Sequence, residues 1–198
     1  MASLRLCVRL VSFLKSVKEE NLSAEQRKQS DSVGSAQVGI VMGSDSDMGV
    51  MQSAADVLKD FGVAFEITVA SAHRSPQRAA VWAFTAPERG IKVIIAGAGH
   101  AAHLAGAMAA HTSLPIIGVP IDSSCLQGMD ALLATVQMPP GIPVATMAIG
   151  KPGARNAGIL AVQILALADA GLAEKLQEYK KDMAAKVDEK AKKLESSL

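Results

Sequence analysis

Aromatic side chains are scarce in this chain of 198 residues: one Trp, one Tyr and four Phe, or 3%. That scarcity excludes the stacking platform on which single-stranded nucleic acids are held. It also leaves the core to Ala, Val, Ile, Leu, Met and Gly, which suits helices packed closely on a sheet. Neither sign of charge prevails, since 20 Lys and Arg stand against 19 Asp and Glu for a net charge of +1. The basic face that nucleic acid would require is therefore missing. The two cysteines, Cys7 and Cys125, are too few for a disulfide framework and form no CxxC metal site. They read as free thiols of a reducing compartment, and the expected location is the cytoplasm. No apolar run reaches the roughly 18 residues that a membrane span needs. What the chain has in quantity is small and aliphatic: 49% of it is hydrophobic, enough for one globular domain with a sizeable core.

The first 18 residues carry Arg5, Arg9, Lys15 and Lys18, with no acidic residue among Leu, Val and Phe. Arg5 and Arg9 interrupt the apolar stretch and argue against a secretory signal, while an organelle transit peptide and a solvated basic helix both fit the composition. Residues 19–36 are polar and rich in Ser and Gln, so residues 1–36 read as a poorly ordered extension. The folded domain is expected over 37–171.

From Gln37 onward, short apolar runs alternate with helical patterns. Val38 to Met42, Val63 to Ala70, Val93 to Ala96, Pro115 to Val119 and Val144 to Ile149 predict five buried strands. Helices are expected over 46–61, from Ser75-Pro76 to about Arg89, over 101–111, over 125–135 and over 154–170, with Gly97 to Gly99 as a tight turn. Strands that each lead into a helix imply a three-layer α/β fold, a flavodoxin-like or Rossmann-like parallel sheet of order 2-1-3-4-5. Ligands of such sheets lie beyond the carboxyl ends of the strands, at the switch between strands 1 and 3. A final stripe of Leu172, Leu176, Tyr179, Met183, Val187, Ala191 and Leu194 predicts an amphipathic helix over 172–198 that reaches a neighbouring subunit.

The turns after the first three strands carry the chemistry. Gly43-Ser44-Asp45-Ser46-Asp47 offers a bare backbone, exposed N–H groups for an anion and a carboxylate for hydroxyls, although Ser and Asp there also suit an ordinary helix cap. Ser71-Ala72-His73-Arg74 sets a planar guanidinium beside the one side chain that gives and takes protons near neutrality. Gly97 to Gly99, before His100 and Ala101, supplies N–H groups with no side chain in the way, and His103 and His111 read as structural. No Walker loop, tetrahedral zinc set or nucleophile elbow is found, so no metal and no cofactor is expected.

Together these segments resemble the PurE family. The matching motifs are Met42-Gly43-Ser44-x-Ser46-Asp47, Ser71-Ala72-His73-Arg74-x-Pro76, Ala96-Gly97-Ala98-Gly99-x-Ala101-Ala102-His103-Leu104, Gly118-Val119-Pro120, Val136-Gln137-Met138-Pro139-x-Gly141-Ile142-Pro143 and Asn156-Ala157. The resemblance runs from about Val38 to Ala170. It implies interconversion of N5-carboxyaminoimidazole ribonucleotide and 4-carboxy-5-aminoimidazole ribonucleotide in purine biosynthesis, without metal or nucleotide cofactor. CO2 would be enclosed as an intermediate, and the chain would assemble as a homo-octamer. His73 would be the acid/base, and Ser44, Asp47, Ser71, Arg74, Gly99 and Ala101 would bind substrate. Arg74 and the Ala101-Ala102-His103-Leu104 run resemble the mutase branch, whereas direct carboxylases of the family usually carry Lys after the histidine. His100 and Ala105 stand where mutases usually have Gly and Pro. Direct carboxylation by CO2, a LarB-like nucleotide carboxylation and a non-catalytic nucleotide-binding module remain alternatives on sequence.

Overall fold

The computed structural model describes residues 35–197. The extension read over 1–36 falls outside the described residues up to residue 34. The strands are β1 (Val38–Met42), β2 (Phe65–Val69), β3 (Val93–Gly99), β4 (Ile116–Ile121) and β5 (Ala145–Thr146). All pairings are parallel, and the order is β2-β1-β3-β4-β5, as the sequence implied. The helices are α1 (Met48–Phe61), α2 (Pro76–Phe84), α3 (Leu104–His111), α4 (Met129–Val136), α5 (Lys151–Ala166) and α6 (Ala170–Glu195). Among the described residues no helix is long and apolar enough to cross a membrane.

Alternation along β1 divides the core into two layers, because successive side chains of a strand leave opposite faces. Ile40 and Met42 join a layer with Met51, Leu58, Ala157, Ala161 and Val162 of α1 and α5. Val41 joins the other, with Ala79, Ala83, Leu104 and Met108 of α2 and α3. Few bulky rings are available, so close approach has to supply the contact. At Gly158 of α5 a Cβ would stand 2.9 Å from the Val57 Cβ and 3.0 Å from the Ala54 carbonyl oxygen, which brings α5 almost onto the backbone of α1.

Several element boundaries differ from the sequence expectation, and three of the differences have a plain physical reason. β3 continues through Gly97 and Gly99, so the residues read as a turn are strand, and the reversal comes after them. α3 accordingly starts at Leu104 rather than Ala101. β5 is only two residues long, since the Pro139-Pro140-Gly141-Ile142-Pro143 run leaves little extended chain to pair with β4.

The tail helix is tied to its own domain over its first half. Asp169 caps it through the Leu172 N–H at 3.0 Å, Leu172 and Leu176 are buried, and Tyr179 meets Phe61 edge-on at 5.6 Å. The Lys175 ammonium donates to the Phe61 carbonyl at 3.0 Å, where Gly62 ends α1 in the left-handed conformation. Beyond Tyr179 the stripe continues as exposed Met183, Val187 and Leu194.

Gly158→Ala should lower stability by about 1–3 kcal/mol, the usual cost of overpacking, because both atoms it strikes are fixed to a backbone. Urea unfolding would read this as an earlier midpoint, and an unchanged midpoint would show that α1 and α5 can part freely.

Candidate active site

The parallel register sets three turns side by side. Met42 pairs with both Val69 and Gly97, so β1 and β2 end at the same level while β3 runs two residues further, to Gly99. Gly43 N–H donates to the Gly97 carbonyl at 3.2 Å, and Ala70 N–H to the Met42 carbonyl at 3.0 Å, which fastens the turns to one another. Between them lies a cavity of about 610 Å³, bordered by Ser44, Asp47, Ser71, Arg74, Gly99 and Ala101, with His73 also on its wall. Every site residue expected from sequence therefore faces one space.

The first turn is a reciprocal cap. The Ser44 N–H donates to Asp47 Oδ2 at 3.1 Å, while Ser44 Oγ accepts from the Ser46 N–H at 3.4 Å. Asp47 is the one acidic side chain buried here, at 7% exposure. Burial pushes its carboxyl above the ordinary aspartate value, and the Ser44 N–H, His100 and Arg74 oppose that rise. Capping and pocket lining are thus both properties of these residues rather than alternatives.

The second turn is braced from within. Ser71 Oγ accepts from the Arg74 N–H at 3.1 Å, and Ser75 Oγ accepts from the Ser71 N–H at 2.9 Å. Ser75 precedes α2 as expected, but its hydroxyl also donates back to the Ser71 carbonyl at 3.2 Å and caps no helix N–H. Arg74 Nη2 crosses to the first turn and donates to the Gly43 carbonyl at 3.1 Å. His73 stands at the tip of this braced loop.

The third turn brings in His103, which read as structural on sequence, and His100, which departs from the family pattern. His103 precedes α3, and its Nδ1 lies 2.8 Å from His73 Nε2, with the rings edge-on at 82°. A contact so short needs one N–H and one lone pair, so a single proton lies between the two rings. Thirty residues separate them in sequence, and no local pattern announces the pairing. His100 takes the left-handed conformation at φ 54, which costs a non-glycine residue roughly 1–2 kcal/mol. Its Nδ1 is 3.1 Å from Ser123 Oγ, on the loop after β4. A glycine at 100 would carry no such cost, which gives a physical reason for the glycine usual in the family.

The segment from Val136 to Pro143 does not join this cavity. Gly141, Ile142 and Pro143 line a hollow at the amino ends of β4 and β5, with His111 and Pro115. The resemblance therefore spans two ends of the molecule.

Known proteins resemble this chain over most of the described residues. The AIR carboxylase family model matches residues 37–186. The chain is 60% identical over 158 residues to the N5-carboxyaminoimidazole ribonucleotide mutase of Pyrococcus horikoshii, covering 80% of this chain and 88% of that protein. It is 56% identical over 158 residues to the enzyme of the same name from Thermotoga maritima, covering 80% and 91%. Among solved structures, Treponema denticola PurE superposes with a TM-score of 0.72 at 30% identity, over 80% of this chain and 98% of that one.

The raised carboxyl of Asp47 has a definite sign. The fold favours its protonated form, so the stabilising contribution is complete below the unfolded-state value and is lost as pH rises through the folded one. Asp47→Asn cannot ionise and keeps an acceptor for the Ser44 N–H. It should melt above the wild type near neutral pH, with the gap closing as the buffer is taken into the acid range. A gap that widens on acidification would reverse the sign assigned to Asp47.

Proposed function

Because this chain belongs to the AIR carboxylase family, we propose that its three-turn cavity performs the reaction for which its curated relatives are named. The chain is an N5-carboxyaminoimidazole ribonucleotide mutase of purine biosynthesis, with His73 as its proton shuttle. The observation that carries the shuttle is the 2.8 Å contact between His73 and His103 on the wall of that cavity.

The chemistry follows from the substrate. The N5 carbamate releases CO2 when N5 takes a proton, because a protonated nitrogen leaves more readily, and His73 supplies that proton. The enamine-like C4 of the resulting aminoimidazole then attacks the retained CO2 and forms the C4–carboxylate bond. The C4 hydrogen must leave to restore aromaticity, and neutral His73 accepts it. Proton transfer of this kind contributes about 10²–10⁴-fold. Holding CO2 against C4 adds an entropic advantage. His103 acts as the positioning partner: the shared proton fixes the face that His73 presents and gives its charge somewhere to spread. Ser44, Asp47, Ser71 and Arg74, with the backbone at Gly99 and Ala101, hold the ribose and phosphate.

The same reading makes the protein a cytoplasmic homo-octamer. Leu126, Met129, Leu133 and Val136 leave a row of apolar side chains exposed on and before α4, and Met183, Val187 and Leu194 leave another on α6. Patches of this kind mark interfaces rather than monomer surface. The family motif at the far end of the sheet, remote from the protomer's own cavity, has a use if subunits meet there.

His73→Asn should bind nucleotide but lose about 10²–10⁴-fold in turnover, read by an absorbance assay of interconversion with and without bicarbonate. Retention of most of the turnover would remove His73 from the mechanism, and strict dependence on bicarbonate would favour direct carboxylation. Sedimentation should give a species of eight chains that Leu133→Asp dissociates. A monomer in the unmutated protein would refute the assembly.

A further inference from the structure

We propose that His100, held by Ser123, is a second phosphate-binding arm of the cavity, alongside the arm formed by Arg74; this rests on the ribonucleotide reading above.

The first ground is a pair of unanswered donors. The Ser123 hydroxyl can donate to His100 Nδ1 at 3.1 Å, and that tautomer places the ring hydrogen on Nε2. No described residue accepts from Nε2. Arg74 spends Nη2 on the Gly43 carbonyl, and its remaining guanidinium donors have no acceptor among the described residues. Both side chains border the same cavity. Arg74 reaches it from the loop after β2, and His100 from the turn after β3. Two donor groups turned on one space from separate turns suit a tetrahedral anion with several oxygens.

The second ground is the division of labour within the cavity. His73 and His103 are engaged with each other. His100 and Arg74 instead act together on the buried carboxyl of Asp47, with His100 exerting the larger influence of the two. The cavity wall thus carries a proton-transfer pair and, besides it, two donor groups not engaged with that pair. A ribonucleotide likewise brings two groups to be held, a reacting base and a 5′-phosphate. The carboxylate under transfer belongs with His73, which leaves the phosphate to His100 and Arg74.

The third ground is how the ring is kept in place. His100 stands at φ 54, a conformation that favours glycine, yet it carries a full imidazole. A side chain retained on such a backbone invites a functional explanation. Gly99 beside it has to be bare, since a Cβ there would collide with Ser123 Oγ. That bareness lets the serine reach in under the turn and hold the ring. Ser123 is therefore a positioning residue, and His100 is the group that touches the phosphate.

The test is calorimetric titration with ribose 5-phosphate, and with ribose as the phosphate-free control, on wild type, H100G and S123A. Glycine suits φ 54, so H100G should fold, and its melting curve checks that; S123A leaves the turn's backbone untouched. H100G should weaken ribose 5-phosphate binding about tenfold, the loss of one good charge-assisted hydrogen bond. S123A should weaken it by a smaller factor, about threefold, and ribose should show no difference. With the ribonucleotide substrate, KM should rise in proportion while kcat stays within about twofold. Equal ribose 5-phosphate affinity in wild type and H100G would overturn the proposal, as would no measurable binding by the wild type, or a fall in kcat with KM unmoved. If the wild type interconverts no carboxyaminoimidazole ribonucleotide but H100G still loses phosphate affinity, the proposed reaction fails and the phosphate arm stands.

Discussion

The site depends on one constraint, the parallel register that holds β1 between β2 and β3. Met42 is level with Val69 on one side and Gly97 on the other. A one-residue slip in either pairing would turn the following loop to the opposite face of the sheet, because strand side chains alternate. The backbone bonds of Gly43 to Gly97 and of Ala70 to Met42 extend the register past the strand ends. Arg74 carries it further still, by bonding the second turn to the carbonyl of the first. The cavity has its shape because the first two chain reversals begin at one height and the third only two residues above it.

Small residues allow that height to be kept. A Cβ at Gly97 would run into the sulfur of Met51, and one at Gly118 into Thr135 and Val144. The helices therefore lie close over the central strands. With so few rings in the chain, close approach takes the place of aromatic bulk as the source of packing contact. The residue that departs from this economy is His100, which brings a large side chain to a backbone position that prefers none.

Much of this was legible in the sequence, and the exceptions have physical reasons. Strand number, order and the level of the site followed from apolar runs separated by helical patterns, a signal carried by the whole chain. Gly97 to Gly99 was misplaced because glycine has two uses. It can reverse a chain or leave room for a neighbour, and here it leaves room for Met51 and Ser123 while the strand continues. The reversal falls on His100, a residue type that does not announce a left-handed turn. The partnership of His73 with His103 was invisible because it joins residues thirty apart through a fold rather than a pattern. The tail was half legible. Its stripe is real, but Leu172, Leu176 and Tyr179 belong to the domain's own core, and the outward-facing part begins after them.

The His73–His103 contact also bears on what the proposed reaction exchanges with the solvent. Two rings 2.8 Å apart can share one proton, and adding a second would set two N–H groups against each other. The proton that His73 passes to the substrate is a different one, given and then recovered, so the pair ends each cycle as it began. Substrate and product of the proposed reaction are isomers, so no proton is left over for the solvent. The final ratio of the two carboxylates is then left to the chemistry of the isomers themselves.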